Sequence, residues 1–242
     1  MSNKQNNRNL LLDYTDSGSK RTAVAVSTLH PGQKTPHAEY DEERLYCFLD
    51  GRGVISIYEQ FPEGDVYELR QDISVFMTPG ITHEIFNIGD APLRYVEFLV
   101  KGGVKPAGDL SWSAVTQRGV TVEKPAVGAG VAVTDVFDEA SNRSQREGQH
   151  LVIRDVNLRR PQKFANAEVL TVAPGRATRL HTHFDTGETS YVISGEGEFV
   201  WDDKRIACQP GSVVSYPIGV QRQVINTGRF PLTYVLIASF LE

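Results

Sequence analysis

The chain has 242 residues, 40% of them hydrophobic and 23% charged, with a formal net charge of −5. Those proportions suit a soluble globular protein and exclude a disordered polar chain. The acidic balance, with no clustered Lys/Arg face, argues against nucleic acid as a partner. No apolar run is long enough to cross a bilayer as a helix. The length fits one large domain or two of ordinary size.

Residues 1–14 lack the apolar core of a signal peptide, and the chain carries only two cysteines, Cys47 and Cys208, each inside an apolar run. The expectation is a cytoplasmic protein whose cysteines are small core residues. Short runs rich in Val, Ile, Tyr and Phe, such as 54–57 and 95–100, are separated by Gly, Pro, Asp and Asn and read as strands. Residues 101–130, with six glycines and two prolines, read as a linker, and 136–146 as at most one short helical turn. The organisation expected is a tail over 1–20, a first half over 21–102, a crossover over 103–135 and a second half over 136–242.

The halves repeat. His37-Ala38-Glu39 followed by Gly51-Arg52-Gly53 recurs as His181-Thr182-His183 followed by Gly195-Glu196-Gly197, at a constant offset of 144. Further on, Pro79, His83 and Asn87 match Pro217, Arg222 and Asn226 at offsets of 138 to 139, which requires a longer hairpin in the first half near 59–65. Similarity that keeps its order over several separated elements reads as duplication.

In the second half Gly175, His181, His183, Glu188 and Gly195 are followed by Gly211, Pro217, Gly219 and Asn226. This series resembles the two sequence motifs of the cupin superfamily, and the repeat resembles a two-domain member, a bicupin. The resemblance implies an all-β protein of two tandem antiparallel jelly-roll barrels. It also implies one divalent metal ion per chain, Fe(II) or Mn(II) first and Zn, Ni or Co as alternatives.

The residues support the same reading independently. His181 and His183 are two apart, so on a strand both point to one face, and a hairpin at 184–187 brings Glu188 beside them. Two imidazoles and a carboxylate converging inside a barrel suit a divalent metal and suit apolar packing badly.

The resemblance places a fourth ligand, histidine, where Arg222 stands, and a guanidinium does not ligate. Two outcomes follow for Arg222. It aims its fork at a substrate anion, acting as a catalytic residue, or it pairs with Glu188 and quenches the site. In the first half, His37, Glu39 and His83 fall at ligand positions, Arg44 falls where Glu188 stands, and Glu43 reaches the site if the strand bulges by one residue. That barrel is either a second metal site or a structural partner.

A 2-His-1-carboxylate set leaves positions open for substrate and dioxygen, so a mononuclear non-haem dioxygenase on a small anionic molecule is the leading expectation. A metal-dependent isomerase or lyase needs the same open site, and a non-catalytic small-molecule-binding bicupin is the reading of another class. A homodimer is compatible with each of them.

Overall fold

The computed structural model describes residues 7–58, 65–102, 113–117, 120–124, 131–135, 149–154, 164–216 and 218–240. The possible helical turn at 136–146 and the tip of the 59–65 hairpin lie outside them. All regular structure among the described residues is β-strand. The chain divides into two compact units, 1–11 with 24–135 and 12–23 with 136–242. The second unit thus includes residues 12–23, much of which had read as tail.

In the first unit β1 (Asn7–Leu12), β2 (Thr22–Leu29), β3 (Glu43–Asp50), β6 (Ile73–Met77) and β8 (Leu93–Val100) lie in one sheet, in the order β1-β2-β8-β3-β6. A three-stranded sheet of β5 (Asp65–Arg70), β4 (Arg52–Ile57) and β7 (His83–Asn87) accompanies it. The crossover stretch carries β9 (Ser113–Gln117), β10 (Val120–Lys124) and β11 (Val131–Asp135). Of these, β11 pairs antiparallel with β6 and parallel with β9, so part of the glycine-rich stretch extends the first sheet.

The second unit repeats the scheme. β12 (Gln149–Arg154), β13 (Phe164–Val172), β19 (Leu232–Phe240), β14 (Thr186–Ser194) and β17 (Val213–Tyr216) form a five-stranded sheet in that order. β16 (Lys204–Cys208), β15 (Gly197–Trp201) and β18 (Arg222–Ile225) form the other. The orders β2-β8-β3-β6 and β13-β19-β14-β17 are the same order, as are β5-β4-β7 and β16-β15-β18, which is the duplication read as topology.

Sequence explains the central strands. β3 and β14 run between two neighbours in their sheets, and both are near-continuously buried. Alternate residues from each strand fill the interiors. In the first barrel these include Tyr46, Phe48, Ile55, Val75, Ile85 and Tyr95. In the second they are Val192, Phe199, Val214, Val224, Leu232 and Tyr234.

The motif glycines and asparagines have matching structural tasks in both copies. Gly51 and Gly195 take φ of +86° and +82°, and a Cβ there would come within 2.5 Å of Pro92 O and 2.3 Å of Pro231 O. Only glycine fits such turns. Asn87 donates through Nδ2 to Leu29 O and Ala91 O, and Asn226 donates to Val172 O and Phe230 O, all within 2.8 Å. Each asparagine ties the turn after β7 or β18 to the strand that opens its barrel. Both cysteines are buried, and burial raises the Cys47 thiol to about 12 and the Cys208 thiol to about 11.

Candidate metal centre

The second-barrel site starts from backbone register. His181 and Arg222 form a two-way bridge, His181 N to Arg222 O at 3.2 Å and Arg222 N to His181 O at 2.9 Å. Gly219 N donates to His183 O at 3.0 Å, which holds the other end of the loop. On β14 the period of two sends Glu188 inward with Ser190 and Val192. The ligand atoms of His181, His183 and Glu188 all lie within 4.8 Å of one another.

Each histidine is fixed through its Nδ1. His181 Nδ1 lies 2.8 Å from Arg179 O, and His183 Nδ1 lies 3.2 Å from Thr186 Oγ1. The Arg179 carbonyl only accepts, so His181 carries its proton on Nδ1 and leaves Nε2 as a lone pair. Burial lowers the pKa of His183, and the Arg222 cation adds to this against the opposing Glu188 charge. His183 is therefore held towards the neutral, ligating form.

Glu188 is buried and its two oxygens divide. Oε2 accepts from Arg222 Nε at 2.6 Å, and Oε1 stands 3.2 Å from His183 Nε2. With the proton on Nε2 this contact is a hydrogen bond to the carboxylate; with the proton on Nδ1, given to Thr186 Oγ1, two lone pairs face each other and a cation would bridge them. Cis ligands about 2.1 Å from a metal lie about 3.0 Å apart, so the donor set fits a divalent ion.

Arg222 takes the partner that the sequence had left as its second outcome. It is 2% exposed, bonds Glu188 through Nε and approaches Val220 O through Nη1 at 3.4 Å. The pairing occupies one carboxylate oxygen and leaves the other facing the histidines.

The first barrel differs, and the register expected for it needs correction. Gly32 N donates to Asn87 O as Gly175 N does to Asn226 O; Ala38 bridges His83 as His181 bridges Arg222; Gly80 N donates to Tyr40 O as Gly219 N does to His183 O. The structural counterparts of His181 and His183 are therefore Ala38 and Tyr40, one residue beyond His37 and Glu39. The connection from Tyr40 to Arg44 is one residue shorter than that from His183 to Glu188, and the strands after it return to the 144 offset.

His37 and Glu39 are exposed, and His37 packs its ring on Tyr58 at 4.4 Å. Glu43 is buried but adjacent to Arg44, so it faces the opposite side of β3. Arg44 does stand at the Glu188 position: it pairs with Met77 as Glu188 pairs with Tyr216. Its guanidinium lies 3.3 Å from the Tyr40 ring centroid, with Glu42 at 3.3 Å and Glu97 at 3.7 Å. His83 lies 2.8 Å from Tyr46 Oη through Nε2 and 3.0 Å from Ile81 O through Nδ1. Both its nitrogens are engaged. The four residues expected as first-barrel ligands are not brought together. His30 is exposed, and His150 lies on β12.

Sequence reasoning did not single out Ser190, and it read Tyr216 as a core or rim aromatic. Both lie on the inward faces of their strands, and their hydroxyls are buried without a partner. Their period-two relation to Glu188 and Val214 was the available signal, but a Ser and a Tyr among apolar residues read as ordinary core.

Residues 168–238 match the cupin domain family. An uncharacterised protein of Methanocaldococcus jannaschii is 30% identical over 88 residues, 36% of this chain and 66% of that protein. Among solved structures, an oxalate decarboxylase aligns with a TM-score of 0.75 at 15% identity, covering 100% of this chain and 74% of that one. Protein Ylba from E. coli aligns at 0.70 and 13% identity, covering 98% and 83%. Bacillus subtilis oxalate decarboxylase, described for its Mn(II) centres, aligns at 0.69 and 14% identity, covering 92% and 70%. At such identities these structures speak for the fold. The domain match identifies a cupin domain over residues 168–238, and the paired jelly-roll topology of the two units is the fold that these cupin structures share.

Proposed function

We propose that the second barrel holds one divalent metal ion, Mn(II) or Fe(II), through His181, His183 and Glu188, and that a small anionic organic molecule is transformed there. The observation that carries this is the Glu188 Oε1 to His183 Nε2 approach of 3.2 Å within a three-residue donor cluster. A bound ion would supply Lewis acidity and adjacent open positions. The protein's share is to orient both imidazoles, hold His183 towards its neutral form, fix the carboxylate and bury its inner side.

The ligand set favours a dioxygenase, because three protein donors leave room for substrate and dioxygen together. A lyase or isomerase is favoured by a different observation. The Arg222 guanidinium on Glu188 Oε2 withdraws charge from the carboxylate, which makes a bound ion a stronger Lewis acid and harder to oxidise. The Mn(II) centres of a similarly folded oxalate decarboxylase support that second reading.

Fe(II)- and Mn(II)-loaded protein, screened against small mono- and dicarboxylates with an oxygen electrode, separates the alternatives. Metal-dependent turnover with oxygen uptake supports the dioxygenase, and anaerobic turnover supports the lyase or isomerase. Carboxylate binding without turnover by either loaded form would leave a binding module.

A further inference from the structure

Among the described residues, five buried side-chain polar atoms have no hydrogen-bond partner, and three of them lie in the second barrel: Arg222 Nη2, Tyr216 Oη and Ser190 Oγ. All three belong to inward positions around Glu188. Tyr216 is the direct cross-strand partner of Glu188, Ser190 is two residues further along β14 on the same face, and the Arg222 guanidinium carbon lies 5.5 Å from the Tyr216 ring centroid. Buried donors are ordinarily satisfied, so three unsatisfied ones on inward positions next to a single carboxylate call for an explanation.

We infer that Arg222 Nη2, Tyr216 Oη and Ser190 Oγ form an oxyanion cradle behind the metal ligands, which binds a carboxylate oxygen of the substrate. This deepens, and rests on, the reading of the second barrel as a small-molecule site. The chemistry selects the ligand. A guanidinium only donates, and both hydroxyls have a hydrogen to give, so the group received is an acceptor. The Arg222 and Glu188 charges cancel, which leaves a bound metal's two positive charges to favour an anion. The surrounding Phe199, Val214, Val224 and Tyr234 are apolar core and limit the guest to a small one. A short dicarboxylate or 2-oxo acid has the required form, with one end for the metal and the other for the cradle.

The test uses oxalate and its mono-amide oxamate as probes on the full chain. Binding is followed by water-proton relaxation of the Mn(II)-loaded protein and by calorimetry on the metal-free protein. Tyr216→Phe and Ser190→Ala are each expected to weaken oxalate about tenfold in both forms, a factor typical of one lost charge-assisted contact. Manganese content and melting temperature should stay at wild-type values. Oxamate should bind the wild type more weakly than oxalate and respond less to both substitutions. Oxalate affinities equal in wild type and both variants would overturn the cradle, as would no oxalate binding by either form of the wild type. A wild type that takes up no manganese but binds oxalate with the same Tyr216 and Ser190 dependence would overturn the metal reading and leave the cradle standing.

Discussion

Glu188 faces two partners at once: Arg222 Nε at 2.6 Å on Oε2 and His183 Nε2 at 3.2 Å on Oε1. The ion pair is 2% and 5% exposed by side chain, so Arg222 compensates a carboxylate that would otherwise be buried and charged. The same contact restricts Glu188 to one ligating oxygen.

Removing the guanidinium should therefore expose the carboxylate's dependence on it. Arg222→Ala is expected to destabilise the metal-free protein by about 3 kcal/mol, the usual cost of leaving a buried charge unpaired. Added Mn(II) should then raise the melting temperature of the variant more than that of wild type, since the ion becomes the only counter-charge. Arg222→His should bind the ion more tightly than either by adding a fourth ligand. Differential scanning fluorimetry across a metal titration measures all three, and equal metal-induced shifts would contradict the arrangement.

The first barrel should give the chain a sensitivity to acid. His83 is buried, and burial, helped by Arg44, holds its pKa down at about 4 against 6.5. A lowered folded pKa means that the unfolded chain takes the proton first. Stability is complete above pH 6.5 and is lost as pH falls from 6.5 towards 4, by at most about 3 kcal/mol. His83→Gln should flatten that part of the profile. Urea unfolding between pH 7 and 4.5 checks it, and unchanged slopes would assign the acid sensitivity elsewhere.

In the second unit, residues 12–23 brace the strand that carries Glu188. Gly18 N donates to Ser215 Oγ at 2.8 Å, Ser215 Oγ meets Thr189 Oγ1 at 2.9 Å, and Thr22 Oγ1 meets Ser239 Oγ at 3.3 Å. A Cβ on Gly187 would come within 2.6 Å of Ser19 Cβ. Gly187→Ala is expected to cost about 1–3 kcal/mol and to weaken metal binding, because the strand shifts next to Glu188. Ser19→Gly should recover most of both losses. Chemical denaturation and metal titration of the single and double variants measure this.

Metal content should ignore the residues that the sequence placed in the first site. The pair His37→Ala with Glu39→Ala is expected to leave metal stoichiometry and second-barrel affinity unchanged, since both side chains are exposed and His83 is engaged elsewhere. Placing Ala38→His, Tyr40→His and Arg44→Glu together should instead raise the stoichiometry towards two per chain, because these positions share the register of the second site.

The contrast between the two halves shows what the sequence carried. The strands, the duplication and the His181–His183–Glu188 cluster were legible because period-two side-chain direction and motif spacing are local properties. The register at His37 was not. The letter His at 37 matched His181, whereas the backbone bonds of Gly32, Ala38 and Gly80 align the chain one residue later. A one-residue change in a connection is visible only through the partners across the sheet. The pairing of Glu188 with Arg222 and the bracing of Ser215 by Gly18 depend on contacts between residues 34 and 197 positions apart, which spacing does not encode.

The central claim is that His181, His183 and Glu188 bind a divalent ion despite the Arg222 contact. Elemental analysis of protein purified without chelator, wild type beside the His181→Ala and His183→Ala double variant, tests it most directly. The account predicts about one transition-metal ion per wild-type chain and almost none in the variant, with both remaining folded by circular dichroism. A metal-free wild type that also fails to take up added Mn(II) or Fe(II), or a double variant retaining the full metal content, would contradict it.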